Sequence, residues 1–434
     1  MKEIRKNLGN ILIIVFLLFP IIIWSITPRI DPIFTDFRTV LISFGELSGI
    51  IGIIMFSINL ILTTRLHFIE ILFDGLNNIY SKHNLLGQIS FVLLLFHPLL
   101  LLPRYSSSLK EASTFFLIWD SLALDLGIFS LAIMFFLIIL TLFLRPKYNL
   151  WKITHKFFGF ALFLGALHVY LIPSYIMNNT ILKVYVLAFA VLWIFCFIYR
   201  SILGNFFIKR FKYIVKDIKK LNNKTMEISL KAKNKRMIFN SGQFIFMSFY
   251  QKWLSKEEHP FSISSSPSET ILKVTIKILW DYTNNLFNKL KKGTITKIEG
   301  PFGIFSYTKS KKKNQIWIAG GIGITPFISF IEKSKPYIEY NIKLFYCVRN
   351  EKEAVYLKEF QEYEQISKNK FQVISFVSEK EGHINRKYIA NQIDNLEEYG
   401  FLLCAPLKMI KELKKELISS GIKKNDIYSE EFNF

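Results

Sequence analysis

The stretch KHNLLGQISFVLLLFHPLLLLPR, Lys82–Arg104, decides the fold of the first half of this chain. It is an almost unbroken apolar run, close to the roughly 20 residues that cross a bilayer as a helix, and it carries His83 and His97. A second run, Trp151–Pro173, carries His155 and His168. An ionisable side chain inside a membrane is costly and marks a ligand, a proton carrier or a hydrogen-bond partner. These histidines are therefore candidate functional residues.

The composition indicates a membrane protein with a basic soluble part. Of the 434 residues, 51% are hydrophobic, the mean hydropathy is +0.30, and the apolar runs crowd into the first half. The net charge of +22 suits flanks that face an anionic leaflet and a solvated basic surface. The absence of any nucleic-acid motif argues against a nucleic-acid partner. Cys196, Cys347 and Cys404 have no paired spacing, which excludes a disulfide framework and a zinc site.

The first half predicts six membrane spans of the required length: Ile11–Ile26, Leu41–Leu62, Leu85–Leu102, Leu122–Leu144, Leu150–Ile172 and Ile181–Leu203. Lysine and arginine are concentrated at the N-terminus and in every second connection, whereas the alternate connections balance fewer basic residues with acidic ones. The positive-inside rule therefore places both termini, and the second half of the chain, in the cytoplasm.

This orientation gives the histidines matched depths. Spans three and five run in the same direction, so His83 and His155 form an inner pair toward the cytoplasm, and His97 and His168 form an outer pair. The histidines of one span are 14 or 13 residues apart, about 20 Å along a helix. Two imidazoles at one depth on facing helices are the axial ligands of a six-coordinate haem iron, so two depths predict two haems. The alternative interpretation is that these histidines join helices by hydrogen bonds or form a proton relay.

The spacing within span five poses a geometric problem. At about 100° per residue, 14 residues return close to the same helix face, whereas 13 miss it by about 140°. Span five must bend, change its winding or aim its histidines differently, and Gly159 and Gly165 offer places for a bend.

Other charged residues lie near the ends of the spans. We expect Glu46 to reach the outer interface, with a proton path as the alternative role. We expect Arg38 and Arg104 to anchor lipid headgroups, with attraction of an anionic acceptor as the alternative. His67 lies off both depths and is expected at the inner interface.

A soluble part begins after Asn205, where the apolar runs shorten to strand length. Short alternating segments predict a small antiparallel barrel: Lys212–Lys219, Thr225–Ala232, Gln243–Tyr250, Ile271–Leu279 and Thr294–Glu299. From Asn314, buried strands alternate with helices, which predicts a doubly wound parallel sheet; the strands are Gln315–Ala319, Ile342–Tyr346, Phe371–Phe376 and Phe401–Cys404. We assign 1–205 to a membrane bundle, 206–308 to the barrel and 309–434 to an α/β nucleotide-binding domain.

Two motifs lie where this architecture places ligands. WIAGGIGITP, Trp317–Pro326, sets three glycines between a strand and a helix, where the backbone can approach a pyrophosphate at a helix N-terminus. HPFSISSSP, His259–Pro267, offers an aromatic ring, a hydroxyl and free backbone amides at one sharp bend. Each motif alone is also an ordinary turn.

Together these features resemble the ferric reductase and NADPH oxidase superfamily along the whole chain, in the form of a bacterial flavocytochrome b of a plasma membrane. The resemblance implies a six-span haem domain, a ferredoxin-reductase-like FAD barrel and an NAD(P)H domain. It implies that two b-type haems are bound by His83, His97, His155 and His168. It also implies FAD contacts at His259, Pro260, Phe261 and Ser262, and, within TIKILWDYTNNL, at Lys277 and Thr283.

The resemblance extends to the nicotinamide side. It implies NADPH or NADH contacts at Gly320, Gly321, Gly323, Thr325 and Pro326. Arg349 follows the second strand, where a guanidinium can pair with a 2′-phosphate, although Glu351 is close. Cys404, in LLCAP, corresponds to a cysteine near the site of hydride transfer; a small buried residue at a strand end is the alternative. Phe434 corresponds to a terminal ring that stacks on the flavin.

The implied activity is electron transfer from cytoplasmic NAD(P)H through FAD and two haems to an acceptor outside the membrane. Molecular oxygen, giving superoxide, is the first expected acceptor, a ferric chelate is the second, and a quinone or an extracytoplasmic redox partner is the third. A transporter or proton channel fused to a reductase, and an electron-donating subunit for a partner protein, are alternatives. No obligatory protein partner is expected.

Overall fold

The chain divides between Ile208 and Lys209 into two compact units. The computed structural model describes residues 2–28, 32–105, 121–144, 146, 148–334 and 339–431. Phe434, the predicted terminal ring, lies outside these residues.

The first unit is helical, and six of its helical stretches are long and apolar enough to cross a membrane, as predicted. The helices are α1 (Lys2–Ile26), α2 (Phe37–Leu62), α3 (His67–Leu72), α4 (Leu76–Tyr105), α5 (Leu122–Ile139), α6 (Tyr148–His155), α7 (Phe157–Leu171), α8 (Tyr175–Asn178), α9 (Thr180–Phe197) and α10 (Gly204–Phe207). π-helical turns extend α5 and α9. Helices α6 and α7 together form the fifth span.

Polar side chains fix where two spans begin. Asp36 precedes α2, and its carboxylate accepts a hydrogen bond of 2.8 Å from the backbone N–H of Thr39. Asn179 precedes α9, and its side-chain oxygen accepts one of 3.1 Å from Leu182. Each cap satisfies an N–H group that has no partner within the helix, a contribution of about 1 kcal/mol.

The fifth span is interrupted directly after His155. Two tight i to i−3 hydrogen bonds surround Lys156: its N–H donates to Ile153 at 3.1 Å, and the N–H of Gly159 donates to Lys156 at 3.0 Å. This tighter winding changes the direction of His155 relative to His168. The irregularity that the 13-residue spacing required therefore lies at Lys156. Gly159, one of the two glycines where we expected the irregularity, donates one of these bonds and packs against α9, whereas Gly165 packs against α5.

The second unit begins with a six-stranded antiparallel sheet. Its strands are β1 (Arg210–Lys220), β2 (Thr225–Ala232), β3 (Phe244–Tyr250), β4 (His259–Ser262), β5 (Ile271–Lys277) and β6 (Ile295–Phe302), in the order β4-β3-β6-β1-β2-β5. An isolated antiparallel bridge between Ile263 and Val274 joins the two edges, which makes the sheet barrel-like.

Two elements of this barrel differ from the sequence prediction. HPFS forms β4, where we expected a bend; Pro260 is tolerated because β4 is an edge strand of the sheet. Helix α11 (Asp281–Lys289) follows β5, and we had not predicted a helix there.

The second sheet is parallel and five-stranded. Its strands are β7 (Asn314–Gly320), β8 (Asn341–Val348), β9 (Phe371–Val377), β10 (Tyr399–Cys404) and β11 (Ile427–Glu430), in the order β11-β10-β7-β8-β9. Helices α12 (Thr325–Ser334), α13 (Leu357–Ile366), α14 (Ser378–Glu381), α15 (Arg386–Gln392) and α16 (Leu407–Ser419) connect them. The doubly wound sheet is confirmed; the short edge strand β11 was not predicted.

Polar side chains join the barrel to the parallel sheet. The Tyr356 hydroxyl donates to the Glu227 carboxylate of β2 at 2.9 Å and lies 2.5 Å from the Thr275 hydroxyl of β5. The Ser329 hydroxyl of α12 donates to the backbone carbonyl of Ser265 at 2.7 Å. Because buried hydrogen bonds are directional, these contacts fix one lobe against the other.

Candidate cofactor sites

The four histidines of the spans meet as the two predicted pairs. The ring centres of His83 and His155 are 6.0 Å apart, and those of His97 and His168 are 6.5 Å apart. An imidazole nitrogen lies about 2 Å from a bound metal and the ring centre about 1 Å farther, so two imidazoles on opposite sides of one metal have centres about 6 Å apart. Each pair therefore has the separation that one iron between the rings requires.

Backbone carbonyls fix the orientation of three of these rings. Nδ1 of His83 lies 3.1 Å from the carbonyl oxygen of Asn59, Nδ1 of His97 lies 2.7 Å from that of Gly45, and Nδ1 of His168 lies 2.7 Å from that of Ala123. A carbonyl only accepts, so Nδ1 carries the proton and Nε2 keeps its lone pair for a metal.

His155 is held differently. Its Nδ1 is buried and has no hydrogen-bond partner among the residues that the structure describes. Its ring packs instead against Trp151 and Phe158, with ring centres 4.9 Å and 5.0 Å away. Aromatic packing and the break at Lys156 therefore position this ring.

Two glycines make room for the outer pair. Gly49 follows Gly45 by one helical turn, and a Cβ atom there would lie 2.5 Å from Nδ1 of His97. Gly127 follows Ala123 by one turn, and a Cβ atom there would lie 2.9 Å from Nδ1 of His168. We had not predicted these positions. The available signal was the recurrence of glycine in FGELSGIIG, at 45, 49 and 52, since closely spaced small residues allow close approach between helices.

These pairs fit a haem. The described parts of the chain contain no group of three or more His, Cys, Asp or Glu side chains that could hold a metal ion. Two protein ligands per metal suit an iron whose remaining ligands come from a porphyrin.

The charged residues near the predicted outer end differ from our expectation. Glu46 is buried rather than interfacial: its carboxylate accepts from Trp24 at 2.8 Å and from Arg104 at 2.5 Å. Arg38 donates to the carbonyl oxygen of Pro103 at 3.0 Å. Because the Arg104 guanidinium pairs with the buried Glu46 carboxylate, Arg104 is more than a headgroup anchor.

In the second unit, the HPFS motif lies on an edge of the barrel. The His259 ring stacks on Tyr282 with ring centres 3.9 Å apart, and its Nε2 lies 2.9 Å from the Glu257 carboxylate. Pro260 is half-buried, whereas Phe261 and Ser262 are buried, and Phe261 contributes to the barrel core. Burial raises the pKa of Tyr282, so its hydroxyl stays protonated at neutral pH.

Thr283 shapes the turn that follows β5. Its hydroxyl oxygen accepts from the backbone N–H groups of Leu279 and Trp280 at 2.9 Å and 3.0 Å. Trp280 has φ −140° and ψ 172°, an extended backbone that any residue adopts. Tryptophan is therefore compatible with this turn.

Lys277 lies between the two lobes of the second unit. Its ammonium forms an ion pair of 2.9 Å with Glu353, and both side chains are mostly buried. A Cβ atom at Gly321, which has φ +55°, would lie 3.9 Å from the same ammonium. The structure therefore places this predicted FAD contact beside the glycine loop of the parallel sheet.

The predicted nicotinamide residues meet at the carboxyl edge of the parallel sheet. The chain runs from β7 to β8 and β9 on one side and returns to β10 and β11 on the other, so a topological switch point, where such sheets bind nucleotides, lies between β7 and β10. The glycine loop after β7 faces Cys404 at the end of β10. A Cβ atom at Gly320 would lie 2.7 Å from Ala405, and one at Gly323 would clash with the carbonyl of Cys404.

Buried groups surround this edge. Thr325 and Pro326 begin α12 and are buried. Cys404 is fully buried, and burial, followed by the nearby Glu430, raises its pKa well above the ordinary value. The thiol is therefore protonated at neutral pH and does not act as a thiolate nucleophile.

Arg349 follows β8 and is exposed. Its Nε lies 3.0 Å from the Glu379 carboxylate, and a second exposed pair of 2.5 Å joins Glu351 to Lys380. Exposed pairs of this kind contribute little to stability, so these side chains remain able to bind another partner.

The two units define a class of protein: a membrane-spanning chain that carries flavin- and nicotinamide-binding domains. Family models match a ferric reductase like transmembrane component at residues 48–166, an FAD-binding domain at 210–329 and an oxidoreductase NAD-binding domain at 317–415. The chain belongs to the ferric reductase and NADPH oxidase superfamily, and it is an integral membrane protein.

Curated relatives of the chain include proteins with three different kinds of name. A flavohemoprotein of Candida albicans is 30% identical over 36% of this chain and 42% of its own length. A superoxide-generating NADPH oxidase heavy chain of Dictyostelium discoideum is 32% identical over 26% of this chain and 19% of its own. The mitochondrial ferric reduction oxidase 8 of Arabidopsis thaliana is 34% identical over 21% and 15%. The chain thus spans less than half the length of each of these relatives.

Proposed function

We propose that this chain is a transmembrane oxidoreductase that takes electrons from NAD(P)H on the cytoplasmic side and delivers them to an acceptor outside. The observation that carries the proposal is the two histidine pairs, with ring centres 6.0 Å and 6.5 Å apart, in the same chain as FAD- and NAD-binding domains. When bound, FAD supplies hydride acceptance, and two b-type haems supply single-electron transfer at two depths.

The residues of the chain bind and orient these groups. His83 with His155, and His97 with His168, would hold the two irons through Nε2, and the carbonyls of Asn59, Gly45 and Ala123 keep three of the rings in the required tautomer. In the second unit, HPFS and the segment after β5 would bind FAD. The glycine loop would hold the nucleotide at the carboxyl edge of the parallel sheet, where Cys404 lies fully buried at the end of β10.

Molecular oxygen, giving superoxide, is our first acceptor. The resemblance to a superoxide-generating NADPH oxidase supports it, and the resemblance to a ferric reduction oxidase supports a ferric chelate as the second candidate. We further propose NADPH over NADH, because Arg349 can pair with a 2′-phosphate.

The haem assignment is tested by the haem content of the purified protein. Haem per polypeptide is measured on the purified full chain together with the low-spin Soret band. We expect two haems in the wild type, one in His97→Ala, and two in the control His67→Ala, whose ring lies beside Glu70. A wild type without haem would favour a proton-conducting role for the histidines.

The acceptor is tested by turnover. NADPH and NADH consumption by the FAD-loaded chain is measured in air and, under nitrogen, with ferric citrate. The expected result is a superoxide signal in air that added superoxide dismutase abolishes. Consumption only with iron would replace oxygen by a ferric chelate, and a requirement for an added protein would indicate an electron-donating subunit.

A further inference from the structure

The connection between β3 and β4 exposes a tryptophan at its tip. Trp253 is 80% exposed, and its backbone φ of +70° lies in the left-handed region, a strained conformation for a bulky residue. Leu254, next to it, is buried in the barrel core, so the connection is anchored while the indole stands in solvent. Because neither the strain nor the exposure stabilises the folded chain, the ring is a candidate for contact with a second surface.

Lysines and a second aromatic ring surround Trp253. The Lys252 ammonium lies 5.2 Å from the centre of the Trp253 ring, and the Lys256 and Lys297 ammonium groups lie 5.6 Å and 4.6 Å from the centre of the Tyr250 ring. The connection therefore presents aromatic rings and basic groups side by side, a combination typical of membrane interfaces.

Gln251 brings further lysines to the same end of the barrel. Its side-chain N–H donates to the carbonyl oxygen of Lys289 at 2.6 Å, and its side-chain oxygen accepts from the N–H of Lys291 at 2.9 Å. The turn between α11 and β6 is thus fixed beside the connection. We call the two segments together the basic loop surface, and its exposed or half-buried lysines are Lys252, Lys256, Lys289, Lys291, Lys292 and Lys297.

Three acidic residues near this surface are already paired. The Glu258 carboxylate lies 3.1 Å from the Arg210 guanidinium, and the Asp217 carboxylate lies 2.5 Å from the Lys292 ammonium. The Glu257 carboxylate pairs with the histidine of HPFS. The six lysines therefore outnumber these acidic groups, and the surface complements an anionic partner.

The ion pair between Glu258 and Arg210 also bounds the distance to the membrane. Arg210 begins β1, and the last stretch that is long and apolar enough to cross a membrane ends at Arg200. Ten residues span at most about 35 Å when extended. A bilayer surface is therefore within reach of the connection that pairs with Arg210.

We propose that the basic loop surface docks on the anionic lipid headgroups of the membrane in which the chain is embedded. The Trp253 indole lies at the headgroup level, where tryptophan and tyrosine are enriched because one end of the ring system is apolar and the other is polar. The lysines are attracted to the anionic leaflet. The inference goes beyond the proposed function and requires only that the chain is an integral membrane protein.

The test measures whether lipid protects the connection from a reagent in water. The full-length chain with Cys196→Ser and Ser255→Cys is placed in nanodiscs of phosphatidylcholine, in nanodiscs of phosphatidylcholine with phosphatidylglycerol, and in detergent. Ser255 is exposed near Trp253. The rate of modification by uncharged N-ethylmaleimide is then measured under each condition.

The control carries Ile366→Cys instead of Ser255→Cys. Ile366 is 52% exposed and ends α13 in the lobe of the parallel sheet. The two remaining native cysteines, Cys347 and Cys404, are buried, so the introduced thiol dominates the reaction. We expect the control to react at the same rate in both kinds of nanodisc.

We expect modification at position 255 to be about fivefold or more slower in the anionic nanodiscs than in the neutral ones, because docking removes the connection from water. Trp253→Ala, and separately Lys252→Gln combined with Lys256→Gln, should each return the rate to within about twofold of that in neutral nanodiscs. If Trp253→Ala does not fold, the lysine double variant decides the question.

A rate that does not depend on lipid charge, or that both sets of substitutions leave unchanged, would overturn the proposal. Protection that persists in detergent would also overturn it and would assign the surface to a contact with protein. The reaction uses no cofactor, so neither result bears on the proposed function.

Discussion

At the scale of single residues, Gly49 and Gly127 determine whether His97 and His168 can hold an iron. Alanine at either position places a methyl group 2.5 Å or 2.9 Å from Nδ1 of the histidine and so displaces the ring from its carbonyl partner. We predict that Gly49→Ala and Gly127→Ala each reduce haem content from two to one per chain. Pyridine haemochrome analysis of the purified variants measures this.

Gly165→Ala is the control for this prediction. Its Cβ atom would lie 3.3 Å from the Ser130 hydroxyl, a contact that a small rotation relieves, so we expect two haems. Full haem content in Gly49→Ala would mean that the outer iron does not depend on the bond between His97 and Gly45.

Substitution of Lys277 tests which cofactor its ammonium contacts. The resemblance implies FAD, whereas the closeness to Gly321 indicates the pyrophosphate of NAD(P)H. A charge-assisted hydrogen bond contributes about 1.5–3 kcal/mol, so Lys277→Met should raise the KM for NAD(P)H roughly tenfold to a hundredfold. Steady-state kinetics, with FAD affinity measured in parallel, separates the two roles.

The matched control is Lys273→Met, four residues earlier on β5, where the lysine also pairs with a carboxylate, that of Glu269. We expect both KM and FAD affinity to stay at the wild-type values. A loss of FAD affinity in Lys277→Met with the KM for NAD(P)H unchanged would mean that Lys277 contacts FAD and not NAD(P)H.

At the scale of elements, Tyr356 joins the start of α13 to strands β2 and β5 of the other lobe. Tyr356→Phe leaves Glu227 and Thr275 without this hydroxyl, which costs about 1–3 kcal/mol. We predict a lower free energy of unfolding for the second unit, measured on the whole chain by tryptophan fluorescence in urea.

Tyr363→Phe is the comparison, because the Tyr363 hydroxyl bonds Ser334 within its own lobe at 3.0 Å. That bond is partly buried, so its loss should cost less. Equal effects of the two substitutions would mean that Tyr356 contributes no special coupling between the lobes.

The same contact predicts a pH dependence. Burial, together with the nearby Glu227, raises the pKa of Tyr356 well above its ordinary value, so the folded state keeps the neutral hydroxyl. An unfolded tyrosine ionises near pH 10. The stabilisation is therefore complete below about pH 10 and is lost as the pH rises above it. Urea titrations from pH 8 to pH 11 should show a steeper loss for the wild type than for Tyr356→Phe; parallel curves would contradict this.

At the scale of the whole molecule, two histidine pairs in one bundle predict electron transfer across a bilayer. In sealed vesicles that contain a trapped ferric chelate, external NADPH should reduce the trapped iron when the second unit faces outward. His168→Ala should abolish this reduction while NADPH still reduces the flavin, because the flavin- and nicotinamide-binding residues are untouched. Absorbance of the trapped ferrous complex measures the reaction.

Vesicles with His67→Ala serve as the control and should transfer electrons at the wild-type rate. Continued reduction of trapped iron by His168→Ala would show that the outer pair is not needed for the crossing.

The sequence by itself determined the number of spans, the histidine pairing and the order of the domains. These follow from local properties of the sequence. The length of an apolar run must match the bilayer thickness, and the period of the hydrophobic residues distinguishes helices from strands. It also located the glycine loop, Arg349 and Cys404 at strand ends, because parallel strands share one carboxyl edge.

Only the tertiary structure decided how the histidines reach one another and what surrounds them. The break at Lys156, the carbonyls of Gly45 and Ala123, and the space left by Gly49 all depend on contacts between helices distant in sequence. The pairing of Lys277 with Glu353 and of Arg104 with Glu46 is equally non-local. A linear pattern records which face of an element is apolar; it does not record which atoms of another element will stand opposite.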